Sequence, residues 1–225
     1  MFKLGIDHLT SSIALAIARG AEDIEISDVA RENVKASEAI VAELAAGDRT
    51  VYGINTGFGP LCDTKISPKD TKELQRKILL SHSVGTGEPI SKELSKLMLI
   101  LKAHALCKGF SGVSETVVDR IVFQIKNDLI PVVPKQGSVG ASGDLAPLSH
   151  LFLPLLGEGY LWRDEGRMPA ANVLSRNQAT QTAGFKICIG IYLDKRKPSE
   201  FQCLASGSSC DVLEGCEILP QGCVD

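Results

Sequence analysis

Four stretches of apolar residues at three- and four-residue spacing, each closed by a glycine or a proline, constrain this chain more than any other feature of its sequence. Ser27 is placed to cap a helix carrying Val34, Val41, Leu44 and Ala45, with Gly47 where that helix would stop. Ser67-Pro68 opens a second, with Leu74, Ile78 and His82 four residues apart and Gly85 beyond its end. Ser91 begins a third, whose Leu94, Leu97, Met98, Leu101 and Ala105 share one face ahead of Gly109. A fourth carries Val117, Val118, Ile121, Val122, Ile125 and Leu129 and is stopped by Pro131. A fifth is predicted to start around 144–147 and to run through Leu151 to Leu155. Apolar stripes of this kind bury themselves against one another, so the pattern predicts a mainly α chain of packed helices. Aromatic residues are only 5% of the chain, so aliphatic side chains must fill that core.

Two glycine-rich loops interrupt the helices: VYGINTGFGP at 51–60 and PKQGSVGASGD at 134–144. In the second, Ala141-Ser142-Gly143 lets the backbone fold back tightly, because the glycine amide can reach the alanine carbonyl with no side chain in the way. Attack there closes a five-membered ring, and loss of two waters, one taking the serine hydroxyl, leaves a conjugated electrophile. Asp144 and the helix start behind it would bring backbone N–H groups and the positive dipole end close to developing negative charge. A bare Ala-Ser-Gly reads first as an ordinary turn with Asp144 as a helix cap, and the eight-residue loop with its DLAPLSH continuation changes that balance. The 53–59 loop lacks the G-K-[ST] ending of a phosphate cradle and does not clearly join a strand to a helix. Its neighbour Tyr52 reads either as a packed loop tyrosine or, where its anion is stabilised, as a base. His82 lies in line with Leu74 and Ile78, as a satisfied core histidine would.

Lys and Arg total 24 against 27 Asp and Glu, a net charge of -3 that leaves no basic footprint for nucleic acid or an anionic membrane. The start MFKLGIDHLTSS has no secretory pattern, and no stretch approaches about 18 consecutive apolar residues. A soluble, cytoplasmic protein is therefore expected. His8, His82, His104 and His150 show no zinc spacing, and no metal site is predicted.

Taken together, VYGINTGFGP, LLSHSVGTG, KGFSGV and VPKQGSVGASGDLAPLSHL resemble the aromatic amino acid ammonia-lyases in order and approximate spacing. The resemblance covers about residues 1–175 and implies the front portion of an L-aspartase/fumarase-like helical fold, with small loop and strand elements around the reactive loop. It implies that Ala141, Ser142 and Gly143 mature into 4-methylidene-imidazol-5-one (MIO). Tyr52 matches the family's catalytic acid/base, Gly59 lies in the substrate loop, and Asp144 matches an aspartate linked to MIO formation. His82 matches the selectivity position. The pair Ser81-His82 looks like the histidine-selective members, which make urocanate and ammonia, more than the phenylalanine-selective ones. A site built on a hydrogen bond to a substrate ring can discriminate strongly. Tyrosine or phenylalanine lyase or aminomutase chemistry is the alternative.

From about residue 176 the character changes. Five of the seven cysteines, Cys188, Cys203, Cys210, Cys216 and Cys223, crowd the last 38 residues, without a C-x-x-C and without a sustained helical period. Residues 1–175 are therefore expected to form an ammonia-lyase domain and 176–225 a divergent tail, as a frameshift or an alternative end would produce. Family members are more than twice this length. Their central helices build a tetramer core and supply an asparagine, a glutamine, a second tyrosine, a carboxylate-binding arginine and a glutamate. A chain without them is expected to show little activity, or to be a non-catalytic fragment.

Overall fold

A computed structural model describes residues 1–58, 61–139, 144–164 and 166–176. The chain is mainly α, as the periodicity requires. Helices α1 (Ser11–Ala18), α2 (Asp28–Ala46), α3 (Pro68–His82), α4 (Lys92–Cys107), α5 (Glu115–Lys126), α6 (Leu145–Phe152) and α7 (Ala170–Arg176) carry it. A 3-10 turn, Leu153–Leu156, extends α6. Among the described residues, six short strands pair two by two: β1 (Phe2–Lys3) with β2 (Ile24–Glu25), β3 (Thr86–Pro89) with β4 (Pro134–Gln136), and β5 (Tyr160–Arg163) with β6 (Gly166–Pro169). The first pair is parallel and the other two are antiparallel.

Helix starts follow local chemistry closely. The hydroxyls of Thr10, Ser27, Ser67 and Ser91 each accept a backbone N–H of the first turn of α1, α2, α3 and α4. Each such cap contributes about 1 kcal/mol. The core lies around α4, which packs against α1, α2, α5 and α6. Leu99 and Ile100 of α4 and Ile121 of α5 are wholly buried there. Each large aliphatic side chain removed from water contributes roughly 2 kcal/mol.

The N-terminal strand is tied into this core. Gly5 turns with φ +78°, and a Cβ on it would lie 2.5 Å from the backbone carbonyl of Cys107. Its N–H donates to Nδ1 of His104 at 3.1 Å, and the Phe2 ring packs 5.6 Å from the same imidazole. On the far side, Arg31 clamps α2 to α5 through Glu115 at 2.7 Å and Asp119 at 2.9 Å.

Three elements differ from the sequence expectation. The covered face of α4 is Ser95, Leu99, Ile100, Ala103, His104, Leu106 and Cys107, while Leu94 is exposed and Leu97, Met98 and Leu101 are only partly covered. Apolar residues run around most of this helix, so spacing alone does not select an arc; the small Ser95 and Ala103 permit the closer approach. Helix α5 ends at Lys126, well before Pro131. Asp128 there takes φ +54°, with Lys92 and Lys96 on its carboxylate. The β5–β6 hairpin and α7 carry their own small core of Leu129, Leu161, Ala170, Val173 and Leu174. Among the described residues, no helix is long and apolar enough to cross a membrane.

Candidate active site

Helix α3 delivers His82 as its last residue. Its Nδ1 lies 2.9 Å from the carbonyl of Ile78 and 3.1 Å from the Ser81 hydroxyl, which itself donates to the same carbonyl. A carbonyl only accepts, so Nδ1 carries the proton. In the tautomer with that proton on Nδ1, Nε2 is the acceptor. The line of Leu74, Ile78 and His82 is half-buried, and the covered edge of α3 runs through Gln75 and Leu79 instead. The histidine is thus not a core residue but stands at the rim of its helix.

Asp144 occupies the N-cap position of α6, yet its side chain does not cap that helix. Its carboxylate instead accepts the hydroxyl proton of Ser138, which joins the two described ends of the 138–144 loop. The Asp144 backbone sits at φ +21°, on the side of conformational space that costs a non-glycine residue about 1–3 kcal/mol. The alternative reading of Asp144 as an ordinary cap does not hold, since its side chain makes no capping hydrogen bond. Gly137 just upstream has φ +134°, and a Cβ there would meet the Cα of Gly85 at 3.0 Å. Residues Ala141, Ser142 and Gly143 lie outside the described residues, as does Gly59.

Tyr52 stands on a loop docked against the end of α2, where Val51 and Ile54 bury against Val41. Its ring is 38% exposed and meets Phe58 edge-on, 5.6 Å between centroids at 73°. The loop is held from inside by Asn55. Its Oδ1 accepts the Val51 N–H at 2.7 Å, and its Nδ2 donates to the carbonyls of Arg49 and Leu44. Thr56 adds a bond from the Gly53 N–H at 3.2 Å. Both polar side chains are buried, so the loop turns its hydrogen-bonding groups inward rather than around a phosphate. Sequence reading passed over Asn55, Thr56, Ser138 and His150. Polar residues inside glycine-rich loops that lack a phosphate motif were the available signal for the first three.

The family model described as aromatic amino acid lyase matches residues 9–183. The chain belongs to that family. Histidine ammonia-lyase of Bacillus velezensis is 42% identical over 176 residues, which are 78% of this chain and 34% of that protein. Histidine ammonia-lyase of Myxococcus xanthus is 44% identical over 170 residues, 76% of this chain and 34% of that one. The crystal structure of histidine ammonia-lyase from Trypanosoma cruzi superposes with a TM-score of 0.74 at 33% identity, covering 84% of this chain and 38% of that structure. The chain therefore spans about a third of the length of the curated relatives it matches. The expected helical fold of the lyases is borne out by this likeness.

Within the lyase fold, two frames carry the candidate residues. The loop on α2 holds Tyr52, while His82 ends α3 and Asp144 stands at the start of α6, with the β3–β4 pair leading from the one helix and into the 138–144 loop.

Proposed function

We propose that the protein is the front section of an ammonia-lyase that converts L-histidine to urocanate and ammonia, with MIO formed from Ala141, Ser142 and Gly143. The observation that carries the substrate reading is the Ser81-His82 end of α3. With Nδ1 given to the Ile78 carbonyl, Nε2 can accept an N–H from a substrate imidazole, and a ring without a donor would leave it unpaired. The histidine ammonia-lyase relatives support the same reading.

The residues around the triplet suit the group. Gly137 has φ +134° and a Cβ there would crowd Gly85, and the Ser138–Asp144 bond ties the residues that flank the triplet. Ring closure joins the Gly143 nitrogen to the Ala141 carbonyl carbon. One water leaves from that carbon, and the second takes the Ser142 hydroxyl with the α-hydrogen of that residue. The group then supplies an electrophile that activates the amino acid toward loss of ammonia, with no metal or external cofactor. Asp144 holds its carboxylate at the closing end of the loop, beside the N-terminus of α6. Tyr52, whose ring meets Phe58 edge-on, is assigned as the acid/base that handles the β-proton, and His82 as the group that orients the ring. Gly59 is assigned to the substrate loop. Residues 1–175 form the lyase unit and 176–225 a divergent tail, and assembly into a homotetramer belongs to the family-length protein.

Intact mass decides the electrophile: the chain should weigh less than its sequence by two waters, and Ser142→Ala should not. A full-mass wild-type chain overturns the assignment of the triplet. Incubation with histidine, tyrosine and phenylalanine decides the substrate. Coumarate or cinnamate in preference to urocanate overturns the histidine reading. A dehydrated chain that releases no product is a non-catalytic piece of the enzyme.

A further inference from the structure

Gly85 is gripped from three sides, and one of the three is a histidine. Its N–H donates to Nε2 of His150 at 3.0 Å, across 65 residues of sequence. A Cβ on Gly85 would lie 3.1 Å from the Gln136 carbonyl and 3.1 Å from the His150 ring, while a Cβ on Gly137 would press on Gly85 itself. The backbone N–H can only donate, so Nε2 of His150 must be unprotonated, with the ring proton on Nδ1. Burial acts the same way, holding the His150 pKa below the ordinary histidine value.

This grip falls between the two halves of the candidate site. Helix α3 ends at His82, and Ser83 closes it by donating both its N–H, at 3.2 Å, and its hydroxyl, at 2.6 Å, to the Leu79 carbonyl. The chain then has only Val84 before Gly85 is fixed and β3 begins. His150 sits on α6, whose first turn starts at Asp144. The bond therefore connects the exit from His82 directly to the helix that carries Asp144, while β4 and Gly137 join from the other end of the loop.

We propose that His150 is a positioning residue: by accepting the Gly85 N–H it sets where His82 stands relative to Asp144 at the start of α6. A neutral, part-buried bond of this kind is stabilising, and removing the acceptor leaves the Gly85 N–H unpaired. The larger effect is geometric. A slack Gly85 leaves the last turn of α3 free to shift, and a selectivity group displaced by a fraction of an ångström loses its aim. The significance of that placement rests on the reading of His82 and the triplet given above, but the bond itself does not.

The test uses the full chain, isotopically labelled, with His150→Leu and His150→Gln. Leucine fills the space without an acceptor or a ring current. Glutamine carries an amide oxygen near the place of Nε2. Two signals are read by NMR at pH 7: hydrogen exchange of the Gly85 amide, and the ring resonances of His82. The leucine variant should exchange Gly85 about tenfold faster and shift the His82 ring signals, and glutamine should bring both back toward wild type. Unchanged His82 resonances in the leucine variant overturn the proposal. So does failure of glutamine to restore them while far-UV circular dichroism stays that of wild type. If leucine prevents folding, the proposal stands or falls on the glutamine chain alone, which must keep Gly85 protected. The rate of the two-water mass loss, followed in parallel, should drop in the leucine variant and recover with glutamine. A wild-type chain that never loses the waters defeats the electrophile reading, whereas the Gly85 and His82 signals still decide the role of His150.

Discussion

His104 makes the stability of this fold depend on pH in a predictable direction. The imidazole is only 3% exposed, and its Nδ1 must stay unprotonated to accept the Gly5 N–H. Burial first, and then the positive charge of Lys108, push its pKa down from 6.5 to about 4, with Asp7 opposing and His8 adding a smaller push downward. A base with a depressed folded-state pKa is protonated first in the unfolded chain. Its contribution is complete above pH 6.5, falls away as the pH drops below that value, and levels off under about pH 4. Linkage with these two values gives a loss of about 2 kcal/mol between pH 7 and 5 and roughly 3 by pH 4. Carboxylates titrate in the same range, so the comparison needs a variant that shares them. His104→Asn keeps an acceptor near the position of Nδ1 and does not take up a proton. Urea unfolding followed by far-UV circular dichroism at pH 7 and pH 5 should show wild type losing about 2 kcal/mol more than the asparagine chain. Parallel pH dependence in the two chains would refute the argument.

Other substitutions separate steric from conformational effects. Gly20 and Gly5 both have positive φ, near +75° and +78°, but a Cβ on Gly20 meets nothing within 4 Å. Gly20→Ala should cost about 1 kcal/mol, and Gly5→Ala at least about 3, or abolish folding, in the same urea experiment. Arg31→Met removes two part-exposed ion pairs between α2 and α5. It should cost about 1 kcal/mol in dilute buffer and less in 1 M salt, and an equal cost in both would show the contact to be packing rather than charge. The thiol of Cys107 is buried, with its pKa pushed up to about 12, whereas Cys62 is half-exposed. Peptide mapping after brief alkylation at pH 7.5 should find Cys62 modified and Cys107 untouched until denaturant is added.

Most of the helices were legible because capping and breaking are local events. Ser27, Ser67 and Ser91 act within one turn of where they stand, and the structure uses all three. The covered arc of α4 was not legible, since a helix apolar on most sides leaves the choice to its neighbours. The end of α5 at Lys126 was missed because the turn just beyond it, at Asp128, is held by two lysines on α4. At the candidate site the motif residues could be read directly, but His150 could not. Its role depends on a bond to a glycine 65 residues away, and nothing in DLAPLSH points to Gly85. At Asp144 the bland alternative, a helix cap, fails for a reason the local sequence does not show: a serine six residues earlier has claimed the carboxylate.

The contact between Gly5 and His104 also sets a timetable for synthesis. The two residues are 99 positions apart, and the pocket that receives the first strand includes the Cys107 carbonyl. During translation the N-terminus therefore leaves the ribosome long before its seat exists. At ordinary elongation rates the wait is about 5 to 20 seconds, during which Phe2 and Leu4, both buried in the finished fold, face water or a chaperone. A strand made about a hundred residues ahead of its seat must wait for α4 before it can be placed.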